Sequence, residues 1–430
     1  MLSYDDAVLA LRGLQGRKWR GGLDRMEALC ERLGVPNGGG AKFIHVAGTN
    51  GKGSTTSLIQ SILVGLGYRT GGYFSPYVFD LRERIQIDGK PIPKEQFARL
   101  LSRVLEVGEE LESTEFGQIS EFEAKTALGF LAWQEAGCEY VALETGLGGR
   151  LDSTNVVSPV VSVITSIGYD HMDVLGDTLT EIAGEKAGII KPGIPVVVGD
   201  LPEEAMAVME RRAEDLNCDL VHAAQYWHQE EAQKDEDTMY FHTLEGAVEV
   251  NIPAFLPGPI QRQNLATALC ALQAVLGRDF LEDERTHEAI TWTRVPGRFQ
   301  VEEHEGRLWI LDGAHNGEAV GHLVKAYVES GFEPPLIVLG MLGSHHPGPV
   351  LEALAELPSL GIRTVPVNWT KTANPDELAD LARPLFATCK SFWSVEEALQ
   401  DLPGVPILVT GSFYLLNEVA RAAGLPVFDE

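Results

Sequence analysis

The run Lys42-Phe-Ile-His-Val-Ala47, followed at once by Gly48-Thr-Asn-Gly-Lys-Gly-Ser-Thr55, constrains the fold more than any other part of the chain. The first six residues read as a buried strand. After the glycines, Leu58, Ile59, Ile62, Leu63 and Leu66 recur at helical spacing, and Gly67 closes the helix. A strand that turns through glycines straight into a helix gathers backbone N–H groups, a helix dipole and the Lys52 ammonium at one point. That combination cradles phosphate. The loop departs from the usual G-x-x-x-x-G-K-[ST] pattern, because Val46 stands at the first glycine and Gly53 separates Lys52 from Ser54. A glycine-rich turn alone is more often a tight connection. With strand, lysine, hydroxyls and helix in register, this one reads as a nucleotide site.

The same alternation continues along the chain. Strand candidates are Tyr140–Leu143, Val160–Ile164, Pro195–Val198, Leu308–Leu311, Leu336–Leu339, Arg363–Val367 and Ile407–Val409, and a helix is expected over Asn264–Leu276. Each strand ends near glycine, aspartate, serine or threonine, where open α/β sheets place their ligands. The fold class expected is α/β with two doubly wound domains: an N-terminal P-loop ATPase-like, mostly parallel sheet and a smaller C-terminal Rossmann-like domain. A length of 430 residues is too great for one core. The punctuation Thr293-Arg-Val-Pro-Gly-Arg298 divides the chain into a first domain at 1–293, a hinge at 294–300 and a second domain at 301–430. The polar stretch Gln229–Gly246 reads as a surface excursion.

Charge and cysteine content exclude several functions. Lys and Arg number 34 against 62 Asp and Glu, a net −28 that repels phosphate backbones and anionic membranes alike. An anionic ligand therefore needs a local, shaped site. Five scattered cysteines without a CxxC pair argue against a disulfide framework or a thiolate zinc site. The first residues lack a secretion signal, and no apolar run approaches the ~20 residues that cross a bilayer. A cytoplasmic location is expected, with no nucleic-acid or membrane partner.

A second glycine cluster, Glu144-Thr-Gly-Leu-Gly-Gly-Arg-Leu-Asp152, fails as a dinucleotide fingerprint: Leu151 fills the third glycine position and no periodic helix follows. Glu144 directly after an apolar strand is either a metal-binding acid or a solvated strand end. Asp170-His171 follows the strand-and-turn segment Val160–Gly168, and a lone histidine there is more often a surface or satisfied core residue than a ligand. Lys186 lies among small and apolar neighbours. Desolvation would lower its pKa and permit carbamate formation, although on composition alone an ion pair with a nearby acid such as Glu185 is favoured.

Together these segments resemble folylpolyglutamate synthase/dihydrofolate synthase, the folate branch of the Mur ligase superfamily. The resemblance rests on Gly48–Thr55, Tyr73–Pro76 with Glu83-Arg84, Phe122-Glu123, Leu143–Asn155, Asp170-His171 and Glu185–Gly188. It continues through Pro296–Phe299, Asp312–Asn316 and Val409–Ser412, and so spans about Gly22 to Leu416. It implies an ATP-dependent amide ligase that phosphorylates a pteroate or folate carboxylate and lets the amino group of L-glutamate attack the acyl phosphate. The substrates implied are dihydropteroate, tetrahydrofolate and L-glutamate, and the chain is expected to be a monomer. A monofunctional polyglutamate synthase is the nearest alternative. A nucleotide switch built on the same loop would have no use for Lys186.

Carried over by position, Ser75, Glu144 and His171 match the magnesium ligands, for one ion or two. Gly51, Lys52, Gly53 and Ser54 match the triphosphate cradle, and Lys186 matches the lysine that becomes carbamylated. Lys52, Lys186 and His171 are the catalytic candidates. Asn264, Arg298 and Asp312 match ATP contacts across a domain cleft. Ser120, Glu121, Phe122 and Glu123, with Leu151, Asp152 and Ser153, match segments that hold dihydropteroate, and Phe122 offers a ring for a flat pterin. The chain departs from the family at Ile260, at Gly317, at Ser344-His345-His346-Pro347 in place of Asp-Lys-Asp, and at Gly16–Gly22. None of these removes a metal or triphosphate residue.

Overall fold

The computed structural model describes the chain apart from residues 1, 15–21, 37–39, 229–237, 244–245, 252–257, 344–345, 370 and 428–430. Ser344, His345 and most of Gly16–Gly22 and Gln229–Gly246 therefore lie outside the described residues. The chain forms two units. One comprises Met1–Pro76, Arg82–Asn251 and Gln263–Thr293; the other comprises Tyr77–Leu81, Ile252–Arg262 and Arg294–Glu430.

The first unit is built on an eight-stranded sheet of order β4-β3-β2-β5-β1-β6-β7-β8. Its strands are β1 (Lys42–Ala47), β2 (Thr70–Tyr73), β3 (Ile85–Ile87), β4 (Lys90–Pro91), β5 (Tyr140–Glu144), β6 (Pro159–Ile164), β7 (Val196–Val198) and β8 (Leu220–His222). β2, β5, β1, β6, β7 and β8 run parallel, and β3 and β4 add an antiparallel edge. From β1 the chain crosses β5 to reach β2, whereas β6 lies on the other side of β1. The connections diverge at β1, the kind of switch point where open α/β sheets bind ligands beyond the carboxyl ends of the strands. Register places Val46 beside Glu144 on one side and Val163 on the other, so the loops after β1, β5 and β6 meet. The central strands are buried almost throughout, as a parallel sheet covered on both faces requires. On one face Ile182, Ala183, Ala205 and Met209 pack against Ala47, Ile164, Val196 and Val198.

A three-stranded sheet joins β9 (Trp227–His228), β10 (Thr238–Thr243) and β11 (Gly246–Asn251) in antiparallel order. The polar excursion expected at 229–246 thus contains a ladder strand. Its alternation is weak because β10 pairs within a small separate sheet instead of the main one.

The second unit carries a six-stranded sheet of order β12-β13-β17-β14-β15-β16. Its strands are β12 (Gln300–His304), β13 (Arg307–Leu311), β14 (Leu336–Leu339), β15 (Gly361–Thr364), β16 (Cys389–Ser391) and β17 (Ile407–Thr410). Only the pairing of β12 with β13 is antiparallel. Along β14 the side chains alternate between two cores: Ile337 and Leu339 join Val320, Tyr327 and Leu351, while Leu336 and Val338 join Val409, Phe413 and Val419. Both faces are therefore covered by helices, which is the doubly wound arrangement. Tyr77–Leu81 belongs to this unit because Val78 and Phe79 enter the second core, and Asn417 Nδ2 donates to both of their carbonyls (2.8 and 2.7 Å). Among the described residues no helix is long and apolar enough to cross a membrane.

Candidate active site

The glycine loop is held by the end of β6. Thr49 N–H donates to Ser166 O (2.8 Å), Asn50 N–H to Ser166 Oγ (2.9 Å), and the Thr165 hydroxyl to Asn50 O (2.6 Å). Two glycines are sterically required. A Cβ on Gly48, whose φ is +155°, would lie 2.0 Å from Thr165 Oγ1; one on Gly51, φ +83°, would lie 2.2 Å from Asn264 Oδ1. Asn264 is buried on the helix Pro259–Leu276 and so stands directly against the loop. The helix Lys52–Gly65 starts at Lys52 with Gly51 as its cap, and its first-turn N–H groups follow Gly51, Lys52, Gly53 and Ser54, the residues expected to cradle phosphate.

Both candidate lysines converge on one carbonyl. Lys52 Nζ donates to Gly48 O and Thr49 O (3.0 Å each), and Lys186 Nζ donates to the same Gly48 O (2.8 Å). Lys186 is buried at the end of the helix Leu179–Lys186. Burial first, then the Lys52 ammonium, push its pKa down to about 7, against the pull of the Asp170 and Asp152 carboxylates. Glu185, the example of a nearby acid that composition offered for an ion pair, is not the partner of Lys186. Glu185 instead accepts from Arg150 Nη2 (2.5 Å) and Nε (3.2 Å) at the surface, because helical spacing sends adjacent side chains to different faces.

Glu144 ends β5 and is buried, which removes the reading of a solvated strand end. Its Oε2 accepts from Ser75 N–H (2.9 Å), and its carboxylate lies within 3.8 Å of a Cβ built on Gly53. Two of the three expected metal ligands therefore adjoin each other and the phosphate loop. The Thr55 and Thr145 hydroxyls, neighbours in sequence of Ser54 and Glu144, are buried with no protein hydrogen bond. A carboxylate with hydroxyl oxygens suits magnesium, which uses few protein ligands and completes its shell with water and phosphate. Among the described residues no three His, Cys, Asp or Glu side chains form a metal cluster. His171 precedes the short helix Met172–Leu175 with φ +49°; its ring is about half exposed and its Nε2 lies 3.9 Å from Asp170 Oδ2.

The residues expected to hold the organic substrate are drawn into two structures. Ser120 and Glu123 form a capping box for the helix Glu121–Ala136, and the buried Glu123 also accepts from Arg25 Nε (2.8 Å). Glu121 pairs with Lys125 (2.8 Å). The half-buried Phe122 ring lies 5.9 Å from the Arg84 guanidinium and edge-on to Tyr73. Asp152 is a hub. Its Oδ2 accepts from Gly146 N–H (2.9 Å) and Leu147 N–H (2.8 Å), and its Oδ1 from Thr154 N–H (3.0 Å) and the Thr154 hydroxyl (2.6 Å). Burial pushes its pKa up while these donors pull it back. The segment that contains Leu151 and Ser153 is tied to the end of the Lys186 helix by its flanking residues: Arg150 N–H donates to Glu185 O (2.7 Å), and Asn155 Nδ2 to Arg150 O and Gly188 O.

In the second unit, Asp312 follows β13 and accepts from Phe299 N–H and Ala314 N–H (2.8 Å each). Burial raises its pKa against the field of Arg298. Arg298 lies over the Phe413 ring, 4.3 Å from its centroid. Sequence reading missed the Gly48 carbonyl that both lysines share and the Thr165–Ser166 anchor, since neither has a motif of its own.

The Mur ligase middle domain family matches residues 98–272. A Bacillus subtilis protein named dihydrofolate synthase/folylpolyglutamate synthase is 41% identical over 328 residues, which cover 75% of this chain and 76% of that one. The chain belongs to the folylpolyglutamate synthase/dihydrofolate synthase family. It is an ATP-dependent ligase with the two-domain Mur ligase fold. The crystal structure of folylpolyglutamate synthase from Thermotoga maritima is similar at a TM-score of 0.85 and 30% identity, covering 98% of each chain. A structure from E. coli in complex with DHPP and ADP is similar at a TM-score of 0.84 and 28% identity, covering 98% of this chain and 97% of that one.

Proposed function

We propose that this ligase is bifunctional, joining L-glutamate to dihydropteroate to give dihydrofolate and adding further glutamates to tetrahydrofolates. The observation that carries the ligase chemistry is the meeting of the glycine loop, the buried Glu144 and the buried Lys186 at the carboxyl ends of β1 and β5. The paired activities in the name of the Bacillus subtilis relative and the ligands of the E. coli structure support the bifunctional reading.

A carboxylate has no leaving group, so one of its oxygens first attacks the γ-phosphorus of ATP. The P–O bond to ADP breaks and an acyl phosphate forms. The neutral glutamate amine then attacks the acyl carbon, the C–O bond to phosphate breaks in the tetrahedral adduct, the surplus amine proton leaves with the phosphate, and the amide remains. Gly51, Lys52, Gly53 and Ser54 hold the triphosphate, with Asn264, Arg298 and Asp312 as further ATP contacts. Magnesium, when bound, would neutralise phosphate charge; Glu144, Ser75 and His171 would hold it. Lys186 in its neutral form can add to carbon dioxide, releasing a proton and leaving a carbamate. That converts an ammonium beside Lys52 into an anionic oxygen donor. Ser120–Glu123 and Leu151–Ser153 take the pteroate side, with Phe122 facing the ring.

ADP release measured with each acceptor tests the reading. Glutamate-dependent ADP with both dihydropteroate and tetrahydrofolate is expected. Turnover with tetrahydrofolate alone would reduce it to a polyglutamate synthase, and ADP release without glutamate incorporation would reject it.

A further inference from the structure

His45 is a buried, titratable residue in the middle of β1 that the chemistry above leaves unused. Its Nε2 lies 2.8 Å from Thr154 Oγ1, and its Nδ1 is buried with no hydrogen bond. The network assigns the proton. Thr154 donates its hydroxyl hydrogen to Asp152 Oδ1 (2.6 Å), so its oxygen can only accept from His45, which fixes the Nε2–H tautomer. The opposite tautomer would bury an unsatisfied Nδ1–H and draw the Thr154 proton away from Asp152. Burial, helped by Lys191, holds the His45 pKa down at about 3, so the ring stays neutral.

The chain of bonds ends at the substrate side. Asp152 Oδ2 receives the Gly146 and Leu147 N–H groups, and Gly146 lies so close to Phe122 that a Cβ there would come within 2.4 Å of the ring. We propose that His45 is a positioning residue for the pteroate-binding surface: its Nε2–H, through Thr154 and Asp152, sets the Gly146–Leu147 turn against Phe122. The proposal rests on the substrate assignment above. The relay's own hydrogen bonds run from His45 through Thr154 and Asp152 to Gly146 and Leu147, so its loss falls on acceptor binding more than on ATP binding.

Thr154→Val, nearly isosteric, breaks the relay at its centre. His45→Phe breaks it at its origin, and His45→Gln retains a donor near the Nε2 position. Thr154→Val and His45→Phe are expected to raise KM for dihydropteroate about tenfold while KM for ATP and kcat stay within about twofold, and His45→Gln to remain within about threefold of the parent. An unchanged KM for dihydropteroate, or a parallel rise in KM for ATP, overturns the proposal. If His45→Phe does not fold, Thr154→Val decides. If the parent enzyme uses tetrahydrofolate but not dihydropteroate, the substrate assignment fails by itself, and the same KM comparison made with tetrahydrofolate decides the relay.

Discussion

Lys186 carries the clearest physical signature of the site, because the folded chain holds it well below its ordinary pKa of 10.5, at about 7. The unfolded chain keeps that proton up to its ordinary pKa, while the folded chain releases it near neutrality. Between those values the unfolded state binds more protons, so stability rises with pH; below about 7 the penalty is constant. Lys186→Met lacks this titration. In thermal melts from about pH 6 to about pH 10 it should be more stable than the parent at the acid end, with the advantage shrinking as pH rises. A constant difference across that range would show that the lysine is not held neutral. The identity of Lys186 was legible in the sequence through its resemblance to the family. Its partner was not, since a backbone carbonyl 138 residues away leaves no compositional trace. Glu144 likewise could not be assigned to burial or solvent until β5 was placed between β1 and β2.

The strand β1, its loop and the helix Lys52–Gly65 form the element that the sequence displayed best, because local turn chemistry and helical periodicity define all three parts. What clamps the loop comes from elsewhere: Thr165 and Ser166 after β6, and Asn264 on a distant helix. Gly48 is where those demands meet. Gly48→Ala would drive a methyl group into Thr165 Oγ1 and displace the carbonyl that both lysines share. It should raise KM for ATP by at least about tenfold, a loss equivalent to one or two charge-assisted hydrogen bonds. Nucleotide titration of the folded variant checks this. By contrast, Asp152, Ser120 and Glu123, the residues expected to hold substrate, also serve as caps in the structure. Residues that shape a turn and residues that touch a ligand carry the same polar chemistry, and sequence alone does not separate them.

At the level of the whole chain, two doubly wound units were evident from alternating strands and helices, and each sheet confirms the reading. The composition of the units was less legible. Tyr77–Leu81 packs with a core built hundreds of residues later, through Val78, Phe79 and Asn417, and short crossing segments have no periodicity to announce them. The second unit is required by the account, not ornamental to it. Arg298→Ala should lower ligation by about ten- to a hundredfold while costing only about 1 kcal/mol of stability, since the half-buried guanidinium stacks on the Phe413 face. The central claim is that the acceptor carboxylate is activated by phosphate transfer. Dihydropteroate labelled with oxygen-18 in its carboxylate, turned over with ATP and L-glutamate and followed by phosphorus NMR of the released phosphate, tests it directly. The account predicts one heavy oxygen in each phosphate released; unlabelled phosphate accompanying amide formation would contradict it.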